Sequence, residues 1–173
     1  MSEFTHFDDN GNAHMVDVTS KQVTRRTAVA EGTIKVSPEV MEAVLGRKIK
    51  KGDVFTVAQV AGIMGAKKTS DLIPMCHPVG LGNTVITFDA DEAAGSIKAT
   101  CTATADDKTG VEMEALTGVS IALLTVYDMC KAIDKGMRIE DIHLVSKIGG
   151  KSGFYVEQST NKRAYGAGPD EDE

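Results

Sequence analysis

Asp128 and Lys131 lie three residues apart in a segment whose apolar residues recur with helical spacing. On a helix this spacing brings a carboxylate and an ammonium group within reach of each other. One interpretation is an exposed ion pair, which stabilises a protein by about half a kcal/mol or less. The other is a partly desolvated pair, in which each group shifts the pKa of its partner and protons can pass near neutral pH. The second interpretation would make the two residues an acid/base catalyst.

The helix that would carry this pair is predicted over residues 112–135 and ends before Gly136. At about 100° per residue, one broad face of the helix is apolar. Its members are Val119, Ala122, Leu123, Val126, Met129, Cys130 and Ile133. Ile121 and Leu124 lie on the opposite side, together with Asp128 and Lys131, so the helix is apolar on nearly every side. Such a helix is usually covered by other parts of the protein on nearly every side. We therefore expect the pair in a covered cleft or at a contact between subunits.

Two acidic residues, Glu112 and Glu114, stand at the start of the same helix. Acidic residues in a first turn complement the helix dipole, which is enough to explain one of them. A second carboxylate, just after the flexible Thr109 and Gly110, could instead accept N–H bonds from the edge of a nucleobase. The sequence leaves both interpretations open.

Another candidate segment is the loop predicted over residues 70–82, in which Cys76 and His77 stand between Pro74 and Pro78. Adjacent Cys and His residues are a poor pair of zinc ligands, and the sequence has no second Cys/His cluster. We therefore predict no metal site. The two prolines stiffen the backbone around His77, which suits a fixed proton donor. A histidine with a purely structural role is the alternative.

Basic residues stand next to several predicted loops, where functional groups concentrate, although ordinary surface charges are the commoner case. They are Arg25, Arg26, Lys50, Lys51, Lys67, Lys68, Lys147 and Lys151. Residues 150–152 are similar to the end of a phosphate-binding loop, but the full pattern fails because Val145 occupies the place of its first glycine. A simple backbone nest for an anion stays open at this loop.

The composition fits a single domain of 173 residues. Hydrophobic residues make up 42% of the chain, but only 5% are aromatic and Trp is absent, so the core must consist of aliphatic residues and Met. We expect such a chain to bury further surface by self-association. The net charge is −6, and the four acidic residues 170–173 supply most of it. The rest of the chain is nearly neutral, which argues against a general nucleic-acid-binding protein.

The expected cellular location follows from three features. The sequence has three cysteines, an odd number without paired spacing, which does not indicate a disulfide framework. The first 14 residues lack the apolar run of a signal peptide, and no segment has the roughly 20 apolar residues that cross a bilayer. We predict a cytoplasmic protein that does not act at a membrane.

The elements that must position these residues form an α+β pattern. We predict strands over residues 23–36, 83–90, 96–105, 142–147 and 154–157, and helices over Pro38–Leu45, residues 54–67 and residues 112–135. The strict alternation of residues 96–105 is typical of a half-buried antiparallel hairpin. The pattern predicts an antiparallel sheet with helices packed on one face. We expect a flexible arm over residues 1–13, a catalytic domain over 14–157 and a disordered acidic tail over 158–173.

Six segments stand in order along the chain: HMVDV (14–18), KGDV (51–54), DLIPMCHP (71–78), TGVEMEALT (109–117), YDMCKA (127–132) and GGKSG (149–153). Together they closely resemble the cyclic pyranopterin monophosphate synthase family, the molybdenum cofactor biosynthesis protein C family. The resemblance extends from about residue 14 to residue 157. Each segment alone is a weak match, whereas the combination is highly specific.

The resemblance implies a lyase of molybdenum cofactor biosynthesis with a ferredoxin-like α+β fold. Members of the family convert (8S)-3',8-cyclo-7,8-dihydroguanosine 5'-triphosphate to cyclic pyranopterin monophosphate and release pyrophosphate. They are homohexamers, built as trimers of dimers, with active sites at subunit interfaces. The resemblance implies this small nucleotide as the partner and no redox cofactor. Whether a divalent ion accompanies the triphosphate is left open.

Position by position, the resemblance implies that Asp128 and Lys131 are the central acid/base pair. It implies Lys51, arriving from elsewhere in the oligomer, as a second essential lysine. The substrate-binding residues that it implies are Met75, Cys76, His77, Glu112, Met113, Glu114, Arg26, Lys67 and Lys147. Whether Arg25 or Arg26 points inward is left open. Ring opening, pterin closure and cyclic phosphate formation are proton-transfer steps, for which acids, bases and cations are the suitable groups.

Two other classes of function compete with this enzyme. A non-catalytic nucleotide-binding module would share the basic loops but would not need a covered Asp–Lys pair. An oligomeric interaction protein would use the apolar helix only as an interface and would bind no nucleotide. Measurements of nucleotide affinity and of product formation distinguish the three.

Overall fold

The computed structural model describes residues 15–150 and 153–157 of the chain. The arm predicted over residues 1–13 and the tail predicted over residues 158–173 lie outside the described residues, as do positions 151 and 152 of the glycine loop.

The first half of the domain contains one strand and three helices. Strand β1 spans Thr24–Lys35, helix α1 spans Pro38–Leu45 and helix α2 spans Val54–Ala66. The predicted caps of both helices are confirmed, since Ser37 Oγ accepts from Val40 N at 3.4 Å and Asp53 Oδ1 accepts from Thr56 N at 2.9 Å. The loop predicted over residues 70–82 was partly wrong, because its start belongs to a short helix, α3 (Thr69–Leu72).

The second half contains the hairpin, the long helix and two further strands. Strands β2 (Asn83–Asp91) and β3 (Ser96–Asp107) form the predicted hairpin, and helix α4 spans Glu112–Cys130. Strands β4 (Arg138–Ile148) and β5 (Phe154–Val156) follow. The antiparallel sheet has the order β2-β3-β1-β4-β5, with α2 and α4 packed on one face. The predicted ferredoxin-like α+β fold is thereby confirmed.

The predicted C-terminal end of the long helix was wrong. Helix α4 ends at Cys130, with Lys131 as its C-cap, rather than at residue 135. Beyond the helix the Ile133 and Asp134 amides both donate to the Cys130 carbonyl, at 2.8 and 3.3 Å, and form a turn. The Tyr127 hydroxyl, which donates to the carbonyl of Lys135 at 2.9 Å, holds the end of this turn against the helix. Ile133, predicted in the core, lies beyond the helix with 46% of its surface exposed. Strand β4 correspondingly begins at Arg138, four residues earlier than predicted.

Helices α2 and α4 contact each other through glycines. A Cβ atom at Gly62 would lie 2.8 Å from the carbonyl oxygen of Gly118, so only glycine permits this approach. Gly65 and Ala66 at the end of α2 pack against Ile121 and Gly118. Lys51, which precedes α2, contacts Asp128 near the end of α4, so the two helices are antiparallel. The loops at the C-terminal end of α2 therefore meet the N-terminal end of α4, and the loop before α2 meets the C-terminal end of α4.

Helix α4 is long and apolar enough to cross a bilayer by length and composition alone. Half of its apolar window is buried inside the domain, however, and the helix packs against β1, β3 and β4. A core helix of a folded domain has the same properties. The confirmed core residues on its inner face include Val119, Ala122 and Val126.

Candidate active site

A cavity of about 440 Å³ opens at the N-terminal end of α4. We call it the loop cavity, because three loops and the first turn of α4 line it. Its lining residues are Val16, Val18, Lys21, Met75, Cys76, His77, Val79, Thr109, Gly110, Glu112, Met113 and Glu114. The structure thus brings together six of the predicted substrate-binding residues, those from the proline-rich segment and those at the start of the helix.

A second cavity of about 320 Å³, the cationic cavity, adjoins the first. Its lining residues are Lys21, Arg26, Lys108, Thr109, Gly110, Glu112 and Lys147. The two cavities share Lys21, Thr109, Gly110 and Glu112, so a bound molecule could extend from one into the other. Four cationic side chains facing a single carboxylate suit a polyphosphate group.

Arg26 is the arginine that points inward. It is buried on the helix side of β1, whereas Arg25 is exposed. Arg26 Nε donates to the carbonyl of Asp107 at 3.2 Å, and Nη2 donates to the carbonyl of Lys108 at 3.1 Å. Gly150, with φ of +78°, covers the guanidinium so closely that a Cβ atom there would collide with Nη1. Arg26 therefore fixes the connection between β3 and α4 while it lines the cationic cavity.

Glu112 lies between the two cavities. Lys147 Nζ contacts Glu112 Oε1 at 2.8 Å, and both side chains are about three-quarters buried. The carboxylate packs against Gly110, where any Cβ atom would collide with Oε2. A side chain at position 110 would therefore displace the Glu112–Lys147 pair.

Glu114 is the buried acid of the loop cavity, with 4% of its surface exposed. Loss of hydration raises its pKa to about 6, and the nearby carboxylates of Glu112 and Asp107 act in the same direction. Burial and the charge of Glu114 also raise the pKa of the Cys76 thiol. The cavity thus holds a carboxyl group that can carry a proton close to neutral pH.

The predicted catalytic residues form a separate cluster at the C-terminal end of α4. Lys131 Nζ lies 2.6 Å from Asp128 Oδ1, and Lys51 Nζ lies 3.1 Å from Asp128 Oδ2. Lys51 Nζ also donates to the Asp128 carbonyl at 3.0 Å, where the helix dipole favours a cation. The α1–α2 loop, which precedes the Asp53 cap, delivers Lys51 to this position. We call these three residues the Lys–Asp–Lys cluster.

For this cluster the structure excludes a covered cleft within one chain, which leaves a contact between subunits, and it corrects the expected origin of Lys51. Within one chain Asp128 is not covered, since 57% of its side chain is exposed, with 51% for Lys131 and 52% for Lys51. Lys51 reaches Asp128 within the same chain and does not have to come from another subunit. Hydrogen bonds and charge from Lys131, then from Lys51, lower the pKa of Asp128, and Asp128 raises the pKa of Lys131. In a single chain the three residues therefore form an exposed ion cluster at the surface.

The two parts of the predicted site do not meet within one chain. Glu112 and Asp128 are sixteen residues apart on one helix, which corresponds to about 24 Å at about 1.5 Å per residue. No lysine side chain spans that distance. Lys67, predicted to bind substrate, is the exposed C-cap of α2 and lines neither cavity. Within residues 15–150 and 153–157, no group of three His, Cys, Asp or Glu side chains could hold a metal ion.

Sequence reasoning missed several residues of the cavities. Lys21 lines both of them and Lys108 lines the cationic cavity, while Val16 and Val18 line the loop cavity. Residues 15–23 belong to no strand or helix, so no periodicity marked them. For Val16 and Val18, the HMVDV segment was the only indication.

Comparison with known proteins gives a consistent result. The model of the MoaC family matches residues 15–150 of this sequence. The chain belongs to the MoaC family. A family member from Clostridium perfringens strain SM101, named cyclic pyranopterin monophosphate synthase, is 59% identical over 154 residues, which cover 89% of this chain and 98% of the relative. Relatives of the same name from Geobacillus thermodenitrificans and Desulforapulum autotrophicum are 56% and 52% identical, covering 90% of this chain and 97% and 96% of their own length.

Proposed function

We propose that this MoaC-family chain is a cyclic pyranopterin monophosphate synthase, a lyase of molybdenum cofactor biosynthesis. Its substrate would be (8S)-3',8-cyclo-7,8-dihydroguanosine 5'-triphosphate, and its products cyclic pyranopterin monophosphate and pyrophosphate. One observation carries the proposal: relatives of that name match the chain at 52–59% identity over at least 96% of their own length.

The two adjoining cavities suit the two ends of this nucleotide. The cationic cavity, with Arg26 and Lys147, would hold the triphosphate, because guanidinium and ammonium groups bind phosphate oxygens. Met75, Cys76, His77 and Met113 would form the walls around the base and ribose in the loop cavity. The buried Glu114 carboxylate would accept N–H bonds from the base edge.

The Lys–Asp–Lys cluster would supply the acid/base catalysis. Opening of the imidazole-derived ring and closure of the pterin both move protons between nitrogen, oxygen and a general acid or base. Formation of the cyclic phosphate requires a substrate hydroxyl to lose its proton and attack the α-phosphorus, while pyrophosphate leaves with the electron pair of the broken P–O bond. Cationic lysines stabilise the charge that develops on this leaving group. These steps require no redox cofactor.

We infer that the active site is assembled between subunits of a homohexamer, a trimer of dimers. The separation of about 24 Å along α4, at about 1.5 Å per residue, supports this assembly. The exposed side of α4 carries Met113 at its start, Leu124 in its second half and Asp128 near its end. An antiparallel second copy of α4, related by a two-fold axis near Ser120, would bring Asp128 of one subunit to Met113 of the other. The contact would also desolvate the exposed Lys–Asp–Lys cluster, which alters its pKa values.

We place the enzyme in the cytoplasm, acting on a small nucleotide and not on a nucleic acid or a membrane. The absence of paired cysteine spacing fits a reducing compartment.

The test is pyrophosphate release from the cyclised nucleotide by the purified protein and by the variants Asp128→Asn and Lys131→Ala. Since general acid–base groups contribute about 10²–10⁴-fold, each variant should lose at least about 99% of turnover. Glu42→Gln is the matched control, because it breaks a similarly exposed ion pair, Lys48 to Glu42 at 2.7 Å, and should leave turnover unchanged. Folded Asp128 and Lys131 variants with full turnover would refute the assigned roles.

A further inference from the structure

Residues 16–21, which precede β1, form one wall of the loop cavity. Val16, Val18 and Lys21 all line the cavity, and Lys21 continues into the cationic cavity. The segment belongs to no strand or helix, so the sheet does not hold it in place. We call it the N-terminal strap.

A local turn gives the strap its shape. Asp17 Oδ1 accepts from the Thr19 amide at 2.8 Å and from the Thr19 hydroxyl at 2.6 Å, as in an Asx-turn. The Lys21 amide donates to the Val18 carbonyl at 3.1 Å. These bonds are internal to the strap and do not attach it to the domain.

Lys108 connects the strap to the domain. Its Nζ atom donates to the Thr19 carbonyl at 2.7 Å, a contact between residues 89 positions apart in the chain. The positive charge of Lys108 also helps to lower the pKa of Asp17, after the two Thr19 hydrogen bonds. Lys108 thus contacts the strap through a carbonyl and attracts its carboxylate.

The backbone of Lys108 is itself fixed. Its amide donates to Asp107 Oδ1 at 2.6 Å, and its carbonyl accepts from Arg26 Nη2 at 3.1 Å. Arg26 is buried beneath Gly150, so this anchor continues into the sheet. Because the Lys108 backbone is held at both its amide and its carbonyl, its side chain can hold the Thr19 carbonyl in a defined position.

We propose that Lys108 is a positioning residue that holds the N-terminal strap against the domain. Held there, Val16 and Val18 complete the wall of the loop cavity, and Lys21 faces the phosphate end of the substrate. This role rests on the proposed function and adds to it the attachment of the strap by Lys108. Binding of the nucleotide thereby depends on the hydrogen bond from Lys108 to the Thr19 carbonyl, which lies away from the reacting groups.

The kinetic test compares Lys108→Met with Lys108→Arg. Loss of the anchor should raise KM for the cyclised nucleotide about tenfold and leave kcat within about twofold, since it weakens substrate binding and leaves the reacting groups intact. Arginine can donate to the same carbonyl and should restore most of the wild-type KM. Lys48→Met is the matched control, because it removes one lysine with an equally short exposed contact of 2.7 Å, and it should change neither constant.

Amide hydrogen exchange of the ligand-free protein separates positioning from a direct phosphate contact. In Lys108→Met the Thr19 and Lys21 amides should exchange at least about tenfold faster, and Lys108→Arg should restore their protection. If Lys108→Met raised KM but left amide exchange unchanged, the positioning role would be refuted, and Lys108 would be a cation that binds phosphate directly. If the wild-type protein gave no product, the proposed function would fail, while the exchange result would still decide whether Lys108 holds the strap.

Discussion

The composite active site predicts that two inactive variants restore each other. Asp128→Asn would disable the Lys–Asp–Lys cluster, whereas His77→Ala would damage the loop cavity at the other end of α4. In the proposed assembly each site takes its cavity from one subunit and its cluster from another. A mixed oligomer therefore contains sites in which both halves are intact, although neither variant alone has any.

The expected size of this restoration follows from the geometry. Glu112 and Asp128 are about 24 Å apart at about 1.5 Å per helical residue, so one chain cannot supply both halves of a site. A working site needs an intact cavity, which the Asp128 variant supplies, and an intact cluster, which the His77 variant supplies. With equal and random incorporation, half of the sites have the intact cavity, and half of those also have the intact cluster. About one quarter of wild-type turnover should return, against about 1% or less for Asp128→Asn alone and the residual turnover measured for His77→Ala alone.

The assay is pyrophosphate release after the two variants are refolded together, with native mass spectrometry to verify that the oligomers are mixed. The control mixture combines Asp128→Asn with Lys131→Ala, which damage the same half and should not restore each other. Mixed oligomers whose turnover equals the mean of the two separate variants would refute the shared site, because they would require each chain to hold a complete one.

Two further predictions concern stability. The pKa of Glu114 is about 6 in the folded state, against an ordinary value of 4.5, so the folded protein binds the proton more tightly than the unfolded chain does. As pH rises from 4 to 8, the free energy of unfolding of the wild type should therefore fall by about 2 kcal/mol relative to that of Glu114→Gln. Urea denaturation at each pH measures this difference. A constant difference between the two proteins would contradict this burial. Gly150→Ala should lower the free energy of unfolding by about 1–3 kcal/mol, since φ is +78° and the Cβ atom meets Arg26. Gly80→Ala, with open space around the Cβ atom, should change it by under about 0.5 kcal/mol, and equal effects at both positions would refute the packing of Gly150 on Arg26.

Much of the fold was predictable because its determinants are local. Ser37 with Pro38, and Asp53, marked the starts of α1 and α2, and the alternation of β3 marked a strand with one buried face. The end of α4 was not predictable from Gly136. The helix gives way to a turn in which two backbone amides share the Cys130 carbonyl and the Tyr127 hydroxyl donates to the Lys135 carbonyl, and helical periodicity does not reveal these contacts.

The candidate site was predictable in its residues but not in its arrangement. The resemblance named His77, Glu112 and Glu114, and the loop cavity brings them together. The separation of Glu112 from Asp128 already follows from the predicted helix, on which they lie sixteen residues apart. Local patterns could not indicate that Lys51 reaches Asp128 within the same chain. Lys108 escaped notice because its partner, Thr19, lies 89 positions away and contributes only a backbone carbonyl.

The most direct test of the proposed function is incubation of the purified wild-type protein with (8S)-3',8-cyclo-7,8-dihydroguanosine 5'-triphosphate, with pyrophosphate and pterin products quantified together by mass spectrometry. We predict equal molar amounts of pyrophosphate and cyclic pyranopterin monophosphate, and no product from GTP itself. Binding of the cyclised nucleotide with neither product formed would contradict the enzyme and support a nucleotide-binding module instead.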